Sequence, residues 1–149
     1  MAKKSVWRKY GNPMIIEKEE AAAGSANAFY AGDLVQIDSS GELVIASVGS
    51  IWGIALKTAT GTASTRIPVD VLSSNDIISV KYKAAATTED LATDVVDFDF
   101  TPNGHTVDEG SATTDAIVVR EDPQTGFATS GRLLVRIKES ALQTFDVNK

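Results

Sequence analysis

The stretch AGDLVQIDSSGELVIASVGSIWGIALKTATGTASTRIPVDVL, residues 31–72, reads as four short strands separated by turns and carries almost no catalytic chemistry. Leu34, Gln36 and Asp38 alternate with Val35 and Ile37, Ser39-Ser40-Gly41 supplies a turn, and Leu43-Val44-Ile45 resumes the apolar pattern, which together predict a tight hairpin. Gly53 lies inside SIWGIAL, where a missing side chain lets a strand bend as a bulge or lets Trp52 fold over a neighbouring backbone; a bulge is the expectation. Trp52, beside it in an apolar strand, is expected in the core of the body or at a seam between copies. From Arg66 to Leu72, Ile67, Val69 and Val71 point one way and Arg66, Pro68, Asp70 and Leu72 the other. Pro68 has no amide hydrogen, so this strand is expected at a sheet edge or with the proline nitrogen turned from its neighbour.

Beyond that stretch the period-2 pattern continues. Ile77 to Lys83 alternates, Val95 to Phe100 places Val96, Phe98 and Phe100 on one side, and His105-Thr106-Val107 begins a return after the turn Thr101-Pro102-Asn103-Gly104. Asp115 to Arg120 and Leu133 to Ile137 add two more strands around a Gly, Ser and Thr-rich loop, Asp122 to Arg132. Thr88 to Leu91, with Glu89 and Asp90, has the acidic start of a single helical turn. Roughly nine strands predict an all-β fold, a small β-barrel or β-sandwich. The division expected is an N-terminal arm and linker over 1–27, a β domain over 28–142 and a C-terminal tail over 143–149.

The first 30 residues do not read as a finished folding unit. Val6 to Tyr10 suits extended chain, Gly11-Asn12-Pro13 is a turn, and Met14-Ile15-Ile16 is a short apolar patch before Glu17-Lys18-Glu19-Glu20. Trp7, Met14, Ile15 and Ile16 each forgo roughly 1.5–3 kcal/mol if left in water, so something is expected to cover them, this domain or a neighbouring copy.

Composition narrows the function classes. The 149 residues suffice for one domain with its own core, 43% of them being hydrophobic. No run of about 18 apolar residues occurs and Met1 to Trp7 lacks the apolar stretch of a secretory signal, so a soluble protein made in a cytoplasm is expected. Without cysteine there is no disulfide, thiolate zinc site or thiol nucleophile. The net charge of −6 is uneven: Lys3, Lys4, Arg8 and Lys9 lie in the first 11 residues with no acid among them, leaving the rest of the chain at about −10. An acidic body does not suit a phosphate backbone; the basic end has the charge to touch nucleic acid, but an arm or an ordinary solvated terminus is the expectation, and an acidic protein surface is an equally suitable partner for it.

Candidate chemistry is sparse. His105, the sole histidine, follows a turn and is expected on the surface, since a lone imidazole makes no ligand set. Asp94, Asp97, Asp99, Asp108 and Glu109 form the densest acidic group and have oxygen ligands suited to calcium, but lack the 12-residue EF-hand arrangement; a solvated edge is expected. There is no G-x-S-x-G elbow, and neither G-x-G-x-x-G nor G-x-x-x-x-G-K-[ST]. Trp52 and Phe127 are the aromatics able to stack on a sugar or base. No catalytic residue, metal or cofactor is assigned.

The succession Phe29-Tyr30-Ala31-Gly32-Asp33-Leu34-Val35, Gly41-Glu42-Leu43-Val44, Trp52-Gly53-Ile54-Ala55 and Ile67-Pro68-Val69-Asp70-Val71-Leu72 resembles the small β-rich capsid decoration, or cement, proteins of tailed bacteriophages. The likeness covers about residues 28–137 and is a loose pattern. It implies a non-enzymatic homotrimer on the outer surface of the phage head that stabilises the coat lattice, with the major capsid protein as partner and neither membrane nor nucleic acid. It further implies that Lys3, Lys4, Val6, Trp7, Arg8, Lys9 and Tyr10 form a coat-binding arm, and that Trp52 and Gly53 lie in the core or trimer seam. Two other classes compete. Ala31-Gly32-Asp33-Leu34 superficially resembles the first motif of trimeric dUTP-hydrolysing enzymes, but the aspartate spacing differs and the serine-rich and tyrosine-bearing motifs are missing. A carbohydrate-binding module requires Trp52 or Phe127 to lie exposed beside polar groups.

Overall fold

A computed structural model describes residues 5–22, 24, 28–83, 95–108, 116–121 and 131–143. The fold is all-β, with eleven strands in two sheets among these residues. The strands are β1 (Val6–Tyr10), β2 (Ile15–Glu19), β3 (Leu34–Ile37), β4 (Leu43–Ile45), β5 (Gly53–Ala55), β6 (Arg66–Val71), β7 (Ile77–Tyr82), β8 (Val95–Asp99), β9 (Thr106–Asp108), β10 (Ala116–Glu121) and β11 (Arg132–Ile137), followed by a 3-10 turn, Glu139–Ala141.

The stretch 31–72 builds four of the five strands of one sheet, ordered β2-β6-β5-β3-β4. Antiparallel β3 and β4 form the hairpin, its turn closed by Asp38, whose carboxylate accepts the Ser40 and Glu42 amides at 2.9 Å, and by Gly41 at φ +81°. The second sheet runs β1-β7-β11-β10-β8-β9, and β9 also pairs in parallel with β7 through Lys81↔Thr106 and Tyr82↔Val107. β1 takes the same edge of β7 nearer its start, from Val6↔Val80 to Tyr10↔Ile77.

Alternation then sorts the side chains. Leu34 and Ile54 join Val6, Ile78, Val80, Tyr82, Val107 and Val135 in the larger core, which spans both sheets. Val35, Ala55, Val69 and Val71, on the opposite face of the five-stranded sheet, pack with Phe29, Leu43 and Trp52 in a second core. The sheet built from 31–72 is therefore apolar on both faces, which explains its dense run of branched residues.

Three expectations change. Residues 5–22, expected as arm and linker, contribute β1 to one sheet and β2 to the other, so the strands number eleven and not nine. Val6 is fully buried because β1 lies along β7, covering a row of backbone groups that an arm would leave open. Pro68 lies in an interior strand between β2 and β5. Its carbonyl accepts the Leu56 amide at 2.9 Å, so its nitrogen also faces the β5 side, beyond Ala55 where that strand ends, and the ladder to β2 loses nothing. Gly53 forms no bulge: it pairs in regular register with Val35 and Val71, and a Cβ there would stand 2.4 Å from the Asp70 carbonyl oxygen. The glycine permits close approach of β6.

The expected helical turn at 88–91 and most of the loop 122–132 lie outside the described residues. Gln143, expected in the tail, instead binds β3 like a short strand: its Oε1 accepts the Ile37 amide at 2.7 Å and its Nε2 donates to the Ile37 carbonyl at 2.9 Å.

Candidate functional site

Among the described residues, Arg8, Glu20, Asp33, Asp70, Asp76, His105 and Arg132 are buried ionisable groups tied to architectural partners, whereas both carboxylate oxygens of Asp97 are buried with no hydrogen-bond partner. Arg8 crosses from β1 to the other sheet, where its Nε and Nη2 donate to the two Asp70 oxygens at 2.9 and 2.6 Å, and it also pairs with Asp76. This fork, with side chains 10%, 8% and 10% exposed, holds the guanidinium more strongly protonated than a free arginine, chiefly through the Asp70 hydrogen bonds. Arg132 donates to the Ser79 hydroxyl and to the Ser5 and Ser79 carbonyls, and lies 3.6 Å above the Trp7 ring. Buried Glu20 accepts the Thr60 amide and hydroxyl and the Gly61 amide, closing the loop 57–65 beside a cavity of about 220 Å³.

Asp33 and His105 form a further node. Asp33 accepts the Ser5 hydroxyl at 3.0 Å, the Tyr30 amide at 2.9 Å and the Asn103 amide at 3.0 and 2.9 Å, with Asn103 in the left-handed region at φ +58°, which asparagine tolerates. His105 is buried, contrary to the surface position expected of it: Nε2 accepts the Leu34 amide at 2.9 Å and Nδ1 lies 3.0 Å from the Thr101 carbonyl. The acceptor role of Nε2 fixes the neutral tautomer with its hydrogen on Nδ1.

Of the acidic group, Asp97 and Asp108 stand opposite each other on β8 and β9, while Asp99 closes the Thr101 turn and lies 3.8 Å from Lys83. Asp94 and Glu109 lie outside the described residues, among which no cluster of three or more metal-ligating side chains occurs. Trp52 is buried in the second core, and so cannot stack on a glycan; Phe127 lies outside the described residues.

The residues expected to bind coat protein are thus dispersed. Lys3 and Lys4 lie outside the described residues, Val6 is in the core, Trp7 is beneath Arg132, Arg8 is committed to Asp70 and Asp76, and Lys9 is half-buried. Tyr10 is exposed at 55%, and it begins a new surface: Met14 and Ile15, across the Gly11-Asn12-Pro13 turn, are exposed at 47% and 52%. At Met14 two adjoining hollows of about 390 and 280 Å³ share Met14, Val71, Leu72 and Ser73, and the smaller reaches Leu142. β2, an edge strand, presents Glu17 and Glu19 beside this strip, and Glu139 stands at the groove's far end. The sequence flagged Met14 and Ile15 as needing cover; the fold supplies it to Ile16, which packs on the second core, and to Trp7 alone among the others.

No described helix is long and apolar enough to cross a membrane. Comparison of the chain with protein-family models, with curated proteins and with solved structures gives no match.

Proposed function

We propose that this protein is a non-enzymatic capsid decoration protein of a tailed phage, a homotrimer on the outer head surface that stabilises the coat lattice. The observation that carries the reading is the exposure of the apolar side chains Tyr10, Met14 and Ile15 about the β1–β2 turn, with the hollows at Met14, Val71 and Leu72, on an all-β body in which buried Arg8, Glu20, Asp33 and Asp70 serve the architecture. An apolar strip flanked by Glu17, Glu19 and Glu139 suits a coat surface of apolar and basic residues. In this reading the pairings from β7 through β11, β10, β8 and β9 back to β7 make a small barrel, and contact with the major capsid protein shifts from the whole of residues 3–10 to the β1–β2 turn. Bound copies favour the assembled lattice by mass action, about 2.7 kcal/mol per site at a free concentration one hundred times Kd.

The test is co-sedimentation with expanded heads of the encoding phage, comparing the natural chain with the triple variant Tyr10→Ser, Met14→Ser, Ile15→Ser, alongside light scattering for the oligomer. The variant is expected to remain folded and to bind at least about tenfold more weakly. Absence of binding by the natural chain together with unchanged head melting removes the assignment; equal affinity of the two forms moves the contact elsewhere on the body.

A further inference from the structure

Asparagine occurs five times in the chain, and only Asn103 is followed by glycine. It sits in the turn Thr101-Pro102-Asn103-Gly104 between β8 and β9, where all four residues are exposed and the Gly104 amide donates to the Thr101 carbonyl at 2.9 Å. This turn takes proline second and a positive φ third, which Asn103 supplies at +58°. The Asn103 backbone amide donates to both Asp33 oxygens, but among the described residues nothing binds its carboxamide. Gly104 is equally uncrowded: its chain neighbours aside, a Cβ there would have no atom nearer than 3.9 Å.

A free carboxamide beside an unhindered backbone nitrogen permits ring closure. The Gly104 nitrogen gives up its proton and bonds to Asn103 Cγ; the Cγ–Nδ2 bond breaks, and ammonia leaves with that proton, so a cyclic imide remains. Water then adds and opens the imide at either carbonyl, with no oxidant or reductant involved. Opening at Cγ gives aspartate on the original backbone. Opening at the Asn103 carbonyl carbon gives isoaspartate, whose main chain runs through Cβ and Cγ. Glycine favours the step because it carries no side chain to crowd the approach and turns freely about its own bonds. The Gly104 bond to Thr101 must open first, and the exposure of the turn lets water replace it.

The two products differ in what they do to the fold. The connection is fastened to the start of β3 on both sides of the Asn103–Gly104 bond: the Asn103 amide is held by Asp33, and His105, fully buried, accepts the Leu34 amide at 2.9 Å. Isoaspartate adds one backbone atom between these fastenings and hangs a carboxylate on the Cα beside the amide that Asp33 accepts. Aspartate changes only an exposed side chain and leaves the backbone length as it was.

We propose that Asn103–Gly104 is a self-modification site, an asparagine that loses ammonia through the cyclic imide, and that its isoaspartyl product detaches the β8–β9 connection from the start of β3. The inference is independent of the capsid reading.

The test incubates the full chain warm at mildly alkaline pH, folded or in urea, and follows Asn103 by peptide mass spectrometry with enzymatic methylation of isoaspartate. The expected result is conversion of Asn103 in the folded chain while Asn75, exposed but followed by aspartate, keeps its carboxamide. An intact Asn103 in the folded chain after the chain in urea has converted overturns the proposal, because the turn then forbids the ring. Gly104→Ala, which meets no close atom, is expected to fold and to stop the conversion; conversion at the natural rate overturns the route. The comparison of folded chain with chain in urea stands without that variant. Hydrogen exchange then separates the products: Leu34 protection is expected to fall about tenfold or more in the isoaspartyl fraction and to persist in Asn103→Asp, with Val80 and Val135 protected in both. Leu34 protection unchanged in the isoaspartyl fraction, or lost equally in Asn103→Asp, overturns the detachment.

Discussion

Replacing Arg8 by Met tests the claim that the first strand is fastened into the body. The substitution keeps an unbranched side chain of similar reach but leaves Asp70 and Asp76, 8% and 10% exposed, without their shared cation. Asp70 retains only a long contact from the Met14 amide at 3.3 Å, while Asp76 keeps the Ser73 amide and hydroxyl at 2.8 and 3.2 Å. Breaking a buried pair by removing one partner costs about 3–5 kcal/mol, far above the ~1 kcal/mol of a solvated surface pair. For a chain of this size that lowers Tm by roughly 6–20 °C. Equilibrium urea unfolding followed by tryptophan fluorescence reads the difference directly. Adding Asp70→Asn and Asp76→Asn to Arg8→Met removes the stranded charges and is expected to recover at least half of the loss. Because Arg8 is held more strongly protonated in the folded state, through Asp70 first, its contribution is fully present below the arginine range and fades only as pH rises through it. The penalty is therefore expected to be equal at neutral and mildly alkaline pH. A loss below about 1 kcal/mol refutes the reasoning, for it means that water screens the fork and that the strand is held by its ladder alone.

Gly53→Ala forces a Cβ to within 2.4 Å of the Asp70 carbonyl, and overpacking of this kind is expected to destabilise by about 1–3 kcal/mol in the same urea assay. Trp52→Ala is expected to cost about 3–5 kcal/mol, and a water-like emission maximum for Trp52 in a Trp7→Phe background would contradict its burial in the second core. Gln143→Ala removes both side-chain bonds to Ile37 and is expected to cost about 1–3 kcal/mol, with faster exchange of the Ile37 amide; unchanged exchange would show that water replaces the side chain without loss.

The alternation in β3, β6, β7 and β8 was legible because each of those strands buries at least one face. β1 and β2 were not, for opposite reasons. In Val6–Tyr10 a buried arginine interrupts the apolar period, and the acids that make it tolerable lie 62 and 68 positions further along the chain. In Ile15–Glu19 an edge strand leaves alternate residues in water, so its Ile, Glu and Lys side chains show no clean period. His105 followed the same rule: a polar residue after a turn suggests the surface, and its partner Leu34 is visible only once the two sheets meet. The surface proposed for contact was half legible, since Met14 and Ile15 stood out as apolar residues without cover, while the hollow that joins Met14 to Val71 and Leu72 depends on the chain passing between sheets.

That passage has a consequence for the order of events during synthesis. The five-stranded sheet is complete once Val71 has left the ribosome, but β1, made before it, has no strand to pair with until β7 emerges, and β7 in turn waits for β11, about fifty residues further on. Val6 and Trp7 thus emerge unsheltered, a nascent apolar segment held open for a partner about seventy residues behind it. Pausing or truncation between β6 and β7 would release a chain with one sheet finished and an orphaned strand at its amino end, the form of this protein most prone to associate with itself.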